Sequence, residues 1–312
     1  MLYLIYTSDT NNQIGTECLF EKTCKEDKDY FKTLTLKYHN VVMGRKTFES
    51  LAKPLKNRNN IVLTRSNMSP IFPEGYFTNK VEVDTKKDYI IAGGKEIYEM
   101  FWDKVDVVYH TIHKNVDFGG IKFEPDFAKF VLFDRIETEE LIKEIWIRVP
   151  NFSRQIKYRY ENNIYMSFAK CVSELESLDK AMQVGCLFVK DKEIISYGAN
   201  GSTFHENREK EMLTKDLTYH FGGCVRRENH IPSGQNYEMC EGCDTKNHDV
   251  PSAINKIVNT PKSDLLQRSV CYMYGHYYCC QSCLSKMEKL GVSEIVISKD
   301  FVTKFLGILS LD

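Results

Sequence analysis

The sequence predicts an α/β protein with two domains, of which the first is a doubly wound, mostly parallel sheet. Its 312 residues are enough for two separate hydrophobic cores. Apolar, strand-like runs alternate with helical stretches through the first half, a pattern typical of parallel sheets covered on both faces. Nine of the eleven cysteines follow residue 170, so the second half differs in composition. We therefore expect a first domain over residues 1–155 and a second over residues 160–312.

Composition and charge narrow the possible functions. The net charge is −1, which does not favour a nucleic acid or a membrane surface as partner. No apolar run approaches the roughly 20 residues needed to cross a bilayer, and the first residues lack the basic lead of a signal peptide. We expect a cytoplasmic protein that acts on small molecules, either as a monomer or as a homo-oligomer. In that compartment, clustered cysteines favour metal ligation over disulfides.

The elements of the first domain follow from the apolar runs. Strands are predicted at residues 2–6, 41–43, 60–63, 89–92 and 107–112, and helices at 25–34, 47–51 and 96–101. In such sheets, ligands bind beyond the carboxyl ends of the strands, where the loops turn into helices.

The first predicted helix carries an acidic residue on its apolar face. The spacing i, i+4, i+7 places Asp27, Phe31 and Leu34 on one side. Burying a carboxylate is costly unless it has a partner in the protein or in a ligand. From this segment alone, Asp27 is either a surface residue at the rim of the apolar stripe or a ligand-binding carboxylate.

Two strand-to-helix turns have the composition of phosphate-binding turns. The first holds a glycine, two cations and a hydroxyl, Gly44-Arg45-Lys46-Thr47, and the second is Gly93-Gly94-Lys95. Helix N-termini offer free N–H groups, and glycine lets the backbone approach an oxyanion. The alternative is that Gly93-Gly94 is only a tight turn.

The ordered set of motifs in residues 1–150 resembles the dihydrofolate reductases. The matching segments are Gln13-Ile14-Gly15, Asp27 with Phe31-Lys32, 42–51, Pro54-Leu55, 58–64 and 90–98. The resemblance implies NADPH-dependent reduction of dihydrofolate to tetrahydrofolate, with Asp27 as the buried carboxylate that binds the pterin ring. It implies substrate contacts from Ile5, Phe31, Leu51, Leu55 and Arg58. It implies cofactor contacts from Ile14, Gly15, Gly44, Arg45, Lys46, Thr47, Thr64, Arg65, Gly93, Gly94, Lys95 and Tyr98. Because guanidinium groups grip phosphate bidentately, Arg45 and Arg65 favour NADPH over NADH.

Two departures from the family pattern bear on this site. The family usually carries a Pro-Trp pair in the loop after its Ile-Gly, and this chain has Glu21-Lys22. The threonine that usually braces the catalytic carboxylate falls at His110 or Thr111. The first departure predicts looser loop closure or a different substrate.

The second domain carries the candidate metal ligands. A helix is predicted at residues 167–176 and a hairpin from 183–189 and 193–197. Two C-x-x-C pairs follow, Cys240/Cys243 and Cys280/Cys283, with His248 between them. Either the four thiolates form a structural zinc clip, or His248, Cys280 and Cys283 hold a zinc with an open fourth position. The last residues, 299–312, form an apolar-faced segment typical of a docking helix or strand.

This order of motifs resembles the deoxycytidylate deaminase branch of the cytidine-deaminase-like fold over residues 167–298, which implies a three-layer α/β domain that binds zinc. By this resemblance, Asn200 contacts a sugar hydroxyl. A second, structural zinc would be held by Cys224, Cys240 and Cys243, with His205 or His220 as a further ligand. The family's H-x-E triplet is His248-Asp249-Val250 here. Valine cannot carry a proton, so Asp249, one position early, is the candidate acid–base group.

Three functional hypotheses follow. The first is a bifunctional dihydrofolate reductase and dCMP deaminase, in which dUMP from one half feeds thymidylate synthesis, which returns dihydrofolate to the other half. The second is a reductase whose zinc domain binds nucleotide or serves regulation or assembly. The third is a riboflavin-pathway deaminase–reductase, which joins the same two folds in the opposite order.

Overall fold

The structure, a computed structural model, describes residues 1–15, 22–51, 53–65, 76–78, 87–150, 155–179, 182–201, 226, 229, 231, 235–240 and 243–311. The chain divides into two compact units. The first comprises Met1–Arg148 with Leu309–Asp312, and the second comprises Val149–Ile308.

The first unit is an eight-stranded sheet with helices between its strands. Its elements are β1 (Leu2–Asp9), α1 (Lys25–Tyr38), β2 (Asn40–Gly44), α2 (Arg45–Glu49), β3 (Asn59–Leu63), β4 (Tyr76–Thr78), β5 (Tyr89–Ile91), α3 (Lys95–Phe101), the 3-10 helix Trp102–Lys104, β6 (Val107–His113), β7 (Phe130–Glu137) and β8 (Leu141–Arg148). The strand order is β4-β3-β2-β5-β1-β6-β8-β7. The strands from β4 to β6 pair in parallel, and β8 and β7 are antiparallel. The predicted mostly parallel sheet is confirmed.

Helix α1 covers one face of the central strands β1 and β6. Its buried residues are Asp27, Leu34, Thr35 and Tyr38, which recur at helical spacing. The Tyr38 ring stacks on Tyr3 of β1 with centroids 3.8 Å apart, and its hydroxyl contacts that of Tyr109 on β6. Glu26 and Asp27 lie in the first turn, where negative charge favours the helix. This packing aims the first turn of α1 at the carboxyl ends of β1 and β6.

The opposite face of the sheet holds a second aromatic layer. His110 of β6 stacks on Tyr6 of β1 with centroids 4.1 Å apart, and its Nε2 lies 2.9 Å from Ser8 Oγ. Tyr6 also contacts Tyr98 and Phe123. Because side chains alternate along a strand, His110 and the residues beneath α1 point to opposite faces.

The second unit is a five-stranded sheet with helices on both faces. Its elements are β9 (Ile156–Arg159), α4 (Ile164–Glu176), β10 (Gly185–Lys190), β11 (Glu193–Ala199), the 3-10 helices Tyr237–Met239 and Thr245–Asn247, α5 (Asp249–Asn255), the 3-10 helix Ser263–Leu266, β12 (Val270–Tyr274), α6 (Gln281–Lys289), β13 (Glu294–Ser298) and α7 (Lys299–Phe305). The strand order is β11-β10-β12-β13-β9. Helix α4 begins three residues before the prediction because the Asn163 side chain caps the Tyr165 amide.

Two glycines let helices pack directly on this sheet. A Cβ at Gly185 would lie 2.5 Å from the Ser173 nitrogen of α4, and a Cβ at Gly198 would lie 2.4 Å from the Ala253 nitrogen of α5. Cys186 pairs with Gly198 across the hairpin, so Gly185 faces the other side of the sheet. Helices α4 and α5 therefore cover opposite faces, which gives the expected three layers.

Among the described residues, no helix combines the length and the apolar character needed to cross a membrane.

The buried His110 makes the stability of the first unit depend on pH. Burial lowers the pKa of His110 to about 3 from its ordinary value of 6.5. The unfolded chain therefore binds a proton that the folded chain rejects, and stability is lost as the pH falls from 6.5 towards 3. We expect a contribution of about 1.4 kcal/mol per pH unit to the slope of the unfolding free energy. Replacing His110→Gln should flatten that slope.

Urea unfolding between pH 4 and pH 7, followed by tryptophan fluorescence, checks this. Both tryptophans of the chain, Trp102 and Trp146, lie in the first unit, so the signal reports that unit. Equal slopes for the wild type and the variant would contradict the prediction.

Candidate functional site

A buried carboxylate lies where α1 meets the ends of β1 and β6. Asp27 is 5% exposed, so it is not a rim residue of the helix. Thr7 Oγ1 lies 3.0 Å from Oδ2 and 3.2 Å from Oδ1. His113 Nε2 lies 3.3 Å from Oδ2. The expectation that the brace falls at His110 or Thr111 is wrong, because among the described residues Thr7 and His113 are the ones that hydrogen-bond the carboxylate.

Two tyrosines lie near this carboxylate. Burial raises the pKa of Tyr30 and of Tyr98 well above the usual range, and the negative charge of Asp27 adds to the effect. Both hydroxyls therefore stay protonated. Tyr98 donates to the Ile5 carbonyl at 3.0 Å, while the buried Tyr30 hydroxyl has no hydrogen-bond partner among the described residues.

The residues predicted to line the substrate site surround α1 and the segment after α2. Ile5 is buried in β1, and Phe31 is half-buried one turn after Asp27. Leu51 and Leu55 are half-buried between α2 and β3. Arg58 donates from Nη1 to Thr35 Oγ1 of α1 at 2.9 Å and from Nε to the Lys56 carbonyl at 2.9 Å. The guanidinium is thus anchored on the helix that carries Asp27.

The two glycine turns predicted from the sequence meet in space. The Gly44 amide donates to the Gly93 carbonyl at 2.8 Å. A Cβ at Gly93 would lie 3.0 Å from Thr47 Cγ2, and one at Gly94 would lie 3.2 Å from Thr47 Oγ1. The Gly93-Gly94 peptide bond is cis, and Gly93 has φ +133°. The turns form one glycine-lined surface at the starts of α2 and α3.

The cations around these turns are engaged with carboxylates. Arg45 contacts Glu49 at 2.9 Å, and Arg65 contacts Glu96 at 3.1 Å with both side chains largely exposed. Lys95 lies 3.7 Å from Glu99. Lys46 is exposed and Thr64 half-buried. An incoming phosphate could replace these surface carboxylates at little cost, because exposed ion pairs are weak.

The loop that carries Ile14 and Gly15 is fixed by Asp9. Its Oδ1 accepts from the amides of Asn11 and Gln13, and its Oδ2 accepts from Phe118 N at 3.0 Å. Ile14 is buried, and Gly15 has φ +73° and bridges to Gly120.

The position of the family's tryptophan is taken here by a cation that bonds the neighbouring loop. Lys22 Nζ donates to the carbonyls of Asp117 and Phe118 at 3.2 and 3.1 Å. Glu21, the other residue of this departure, lies outside the described residues.

In the second unit, three candidate metal ligands converge at the starts of two helices. His248 immediately precedes α5, and Cys280 immediately precedes α6. His248 Nδ1 lies 3.2 Å from Cys280 Sγ and 3.6 Å from Cys283 Sγ. In a tetrahedral zinc site, bonds of about 2.0 Å to nitrogen and 2.3 Å to sulfur separate the two ligand atoms by about 3.5 Å. The three side chains therefore fit zinc.

Neighbouring groups prepare these ligands. His248 Nε2 donates to the Cys243 carbonyl at 3.2 Å, which leaves Nδ1 for a metal. Hydrogen bonds from Cys283 and His248 hold the pKa of the Cys280 thiol well below its usual range, whereas the hydrogen bond to Cys280 and burial raise the pKa of the Cys283 thiol. Among the described residues, His248, Cys280 and Cys283 are the group that could hold a metal, so Cys240 and Cys243 do not complete a four-thiolate clip with them.

The ligands predicted for a second zinc stay a prediction. Cys240 is buried and Cys243 half-buried, and the Cys243 amide donates to the Cys240 carbonyl at 3.0 Å. Cys224, His205 and His220 lie outside the described residues.

The other candidate residues of this unit have structural contacts. Asn200 accepts from Ser177 Oγ and the Val184 amide and donates to the Met182 carbonyl, all within 2.8 Å. Asp249 is 4% exposed, burial raises its pKa to about 6, and its Oδ2 has no hydrogen-bond partner among the described residues. Val250 is fully buried.

Sequence reasoning missed Thr7 and His113. Thr7 follows Ile5 by two residues and so shares its face of β1, a signal that could have pointed to it. His113 depends on where β6 ends relative to β1, which the sequence does not reveal.

Fold and sites together define a two-domain protein. The first domain is a doubly wound α/β unit with a buried carboxylate and two glycine turns. The second is an α/β unit with a histidine and two cysteines that fit zinc. The family model "Dihydrofolate reductase" matches residues 1–145, and "Cytidine and deoxycytidylate deaminase zinc-binding region" matches residues 160–299. The chain belongs to the dihydrofolate reductase family through its first unit, which is fused to a cytidine/deoxycytidylate deaminase-like unit.

Individual relatives match the first unit. The dihydrofolate reductase of Bacillus subtilis is 33% identical over 138 residues, which are 41% of this chain and 77% of the relative. That of Ureaplasma parvum is 34% identical over 137 residues, 42% of this chain and 87% of the relative. The solved dihydrofolate reductase from Enterococcus faecalis, complexed with NADP(H) and RAB-propyl, is 26% identical with a TM-score of 0.40, covering 47% of this chain and 96% of that one.

The grouping of three ligands predicts a bound zinc ion. Changing Cys280→Ser should lower the zinc content of the purified protein by one ion per chain, because one of three ligands is lost. Inductively coupled plasma mass spectrometry measures it, and Cys171→Ser, an exposed residue of α4, is the control. Zinc content that is unchanged in Cys280→Ser would contradict the assignment.

Proposed function

We propose that the first unit reduces dihydrofolate to tetrahydrofolate with NADPH. The observation that carries this proposal is the buried Asp27 carboxylate at the carboxyl ends of β1 and β6, held by Thr7 and His113. A pterin ring presents a ring N–H and an amino group side by side, and an ionised carboxylate accepts two such hydrogen bonds. Membership of the reductase family supports the same substrate.

Residues of this chain would orient the bound dihydrofolate. Asp27 accepts from the pterin and polarises the ring, so that the imine nitrogen takes up a proton. Ile5 and Phe31 provide apolar contact to the ring, and Leu51 and Leu55 to the aminobenzoyl group. Arg58 has guanidinium N–H groups beyond the two that bind Thr35 and Lys56, and these suit the glutamate carboxylate.

The glycine turns are the proposed cofactor site. Gly44, Gly93 and Gly94 have no side chain to block a dinucleotide, and Thr47 offers a hydroxyl beside them. Ile14, Gly15 and Tyr98 border the nicotinamide end, and Thr64 lies near the adenosine end. Lys46 and Lys95 supply positive charge, and Arg45 and Arg65 exchange their carboxylate partners for the 2′-phosphate. When bound, NADPH supplies the hydride.

For the second unit, we propose that His248, Cys280 and Cys283 hold a zinc ion in a domain derived from deoxycytidylate deaminases. Bound zinc makes a water molecule nucleophilic near neutral pH. Asp249 is the proposed proton carrier and Asn200 the proposed contact to the nucleotide sugar. The fully buried Val250 in place of an acid–base group favours a second candidate, a domain that binds nucleotide for regulation or assembly.

The reductase proposal depends on the charge of Asp27. Replacing Asp27→Asn should lower kcat/KM for dihydrofolate by about 10²–10⁴, the range of an acid–base group, because the amide cannot accept both hydrogen bonds. Dihydrofolate-dependent oxidation of NADPH, followed by absorbance, is the measurement. Asp29→Asn, an exposed residue of the same helix, serves as the matched control. Turnover that survives in Asp27→Asn would reject the proposal.

The proposal that the second unit derives from deaminases is tested by introducing the glutamate of the H-x-E triplet at position 250. Wild-type protein should deaminate dCMP weakly or not at all, and Val250→Glu should raise that rate by about 10²–10⁴. Conversion of dCMP to dUMP is measured chromatographically, with Val250→Gln as the control of similar size. Rapid wild-type turnover that disappears in His248→Ala would instead establish an active deaminase.

A further inference from the structure

We propose that His113 is a positioning residue for Asp27, because its imidazole N–H holds the carboxylate in the orientation that receives the substrate. This inference rests on the proposed reductase function and concerns the same site. His113 is the last residue of β6, and it is 2% exposed. Its Nε2 lies 3.3 Å from Asp27 Oδ2, while Thr7 Oγ1 contacts both carboxylate oxygens.

These two contacts leave room for a ligand. A carboxylate has about four lone-pair directions. Thr7 and His113 approach from the strand side, and the remaining directions can accept a pair of donors from a ring. Hydrogen bonds to a charged acceptor are roughly twice as strong as neutral ones. The imidazole therefore contributes to the orientation in which Asp27 receives the substrate.

The imidazole is itself held in place by a loop. The Phe118 ring packs on it at a centroid distance of 5.1 Å. Phe118 is fixed at both backbone groups, because its amide donates to Asp9 Oδ2 and its carbonyl accepts from Lys22 Nζ. A cation of the loop after Gly15 is thus connected through Phe118 and His113 to the carboxylate.

The charged neighbours of the pair are engaged elsewhere. Asp9, beside His113 in the register of β1 and β6, accepts from three backbone amides. From β8, Lys143 pairs with Glu26 at 2.6 Å and Glu144 with Arg135 at 3.2 Å. The tyrosines near Asp27, Tyr30 of α1 and Tyr98 of α3, stay protonated because burial raises the pKa of each. Among the described residues, Thr7 and His113 are therefore the side chains that hydrogen-bond Asp27 directly.

Two substitutions separate the N–H donor from the bulk of the side chain. His113→Leu removes the donor, and we expect kcat/KM for dihydrofolate to fall about 10- to 100-fold, with a higher KM for dihydrofolate and an unchanged KM for NADPH. His113→Thr keeps a neutral donor, so kcat/KM and KM for dihydrofolate should largely return to the wild-type values. His110→Gln, on the other face of β6, should leave both KM values unchanged.

The outcomes are distinct. An inactive wild type overturns both the proposed function and this inference. An active wild type, inactive as Asp27→Asn, whose KM for dihydrofolate is unchanged in His113→Leu overturns the inference alone. If His113→Leu does not fold, as judged by tryptophan fluorescence, His113→Val is compared with His113→Thr, since these side chains differ in the hydroxyl donor. Equal KM values for dihydrofolate in these two variants would overturn the inference.

The loop contact gives an independent test. Lys22→Met should weaken kcat/KM by releasing Phe118, and its effect should be smaller in the His113→Leu background than in the wild type. Since coupled residues are not additive, this double-mutant cycle measures the connection. Strictly additive effects would overturn the path from Lys22 to Asp27.

Discussion

A carboxylate cannot be buried between a helix and a sheet without groups that compensate its charge, and the first unit is arranged around that constraint. Asp27 enters the interior on the first turn of α1, where the helix dipole favours it, and the ends of β1 and β6 supply Thr7 and His113. The tyrosine stack of Tyr3, Tyr38 and Tyr109 fixes α1 on these strands. Packing at one end of the helix thereby sets the position of the charge at the other.

The second unit also holds its functional side chains at the starts of helices, where they form a candidate metal site. Its metal ligands come from the starts of two helices, His248 before α5 and Cys280 before α6. The packing of these two helices therefore sets the separation between the ligand atoms. The Cys243 carbonyl fixes the histidine ring through Nε2. The two units thus place chemistry at helix starts supported by strands.

Sequence patterns predict those features that depend on local spacing. The parallel sheet, the glycine turns, the apolar face with Asp27 and the C-x-x-C pair with His248 all follow from periodicity, residue type or resemblance. What they do not predict is tertiary register. Thr7 and His113 come from two strands whose alignment sets which side chains reach Asp27, and no local spacing encodes that alignment. The amide of Asn200 shows the same limit, since three of its hydrogen bonds go to residues distant in sequence and leave one amide N–H for a ligand.

The close packing of α5 on Gly198 has a consequence for metal affinity. Any side chain there would meet Asp249 and Ala253 backbone atoms, so the helix would have to lift away from the strand. His248 stands at the end of that helix and would move with it, while Cys280 and Cys283 belong to a different helix. A residue 50 positions from the nearest ligand thus bears on the distance between the His248 ring and the two thiols.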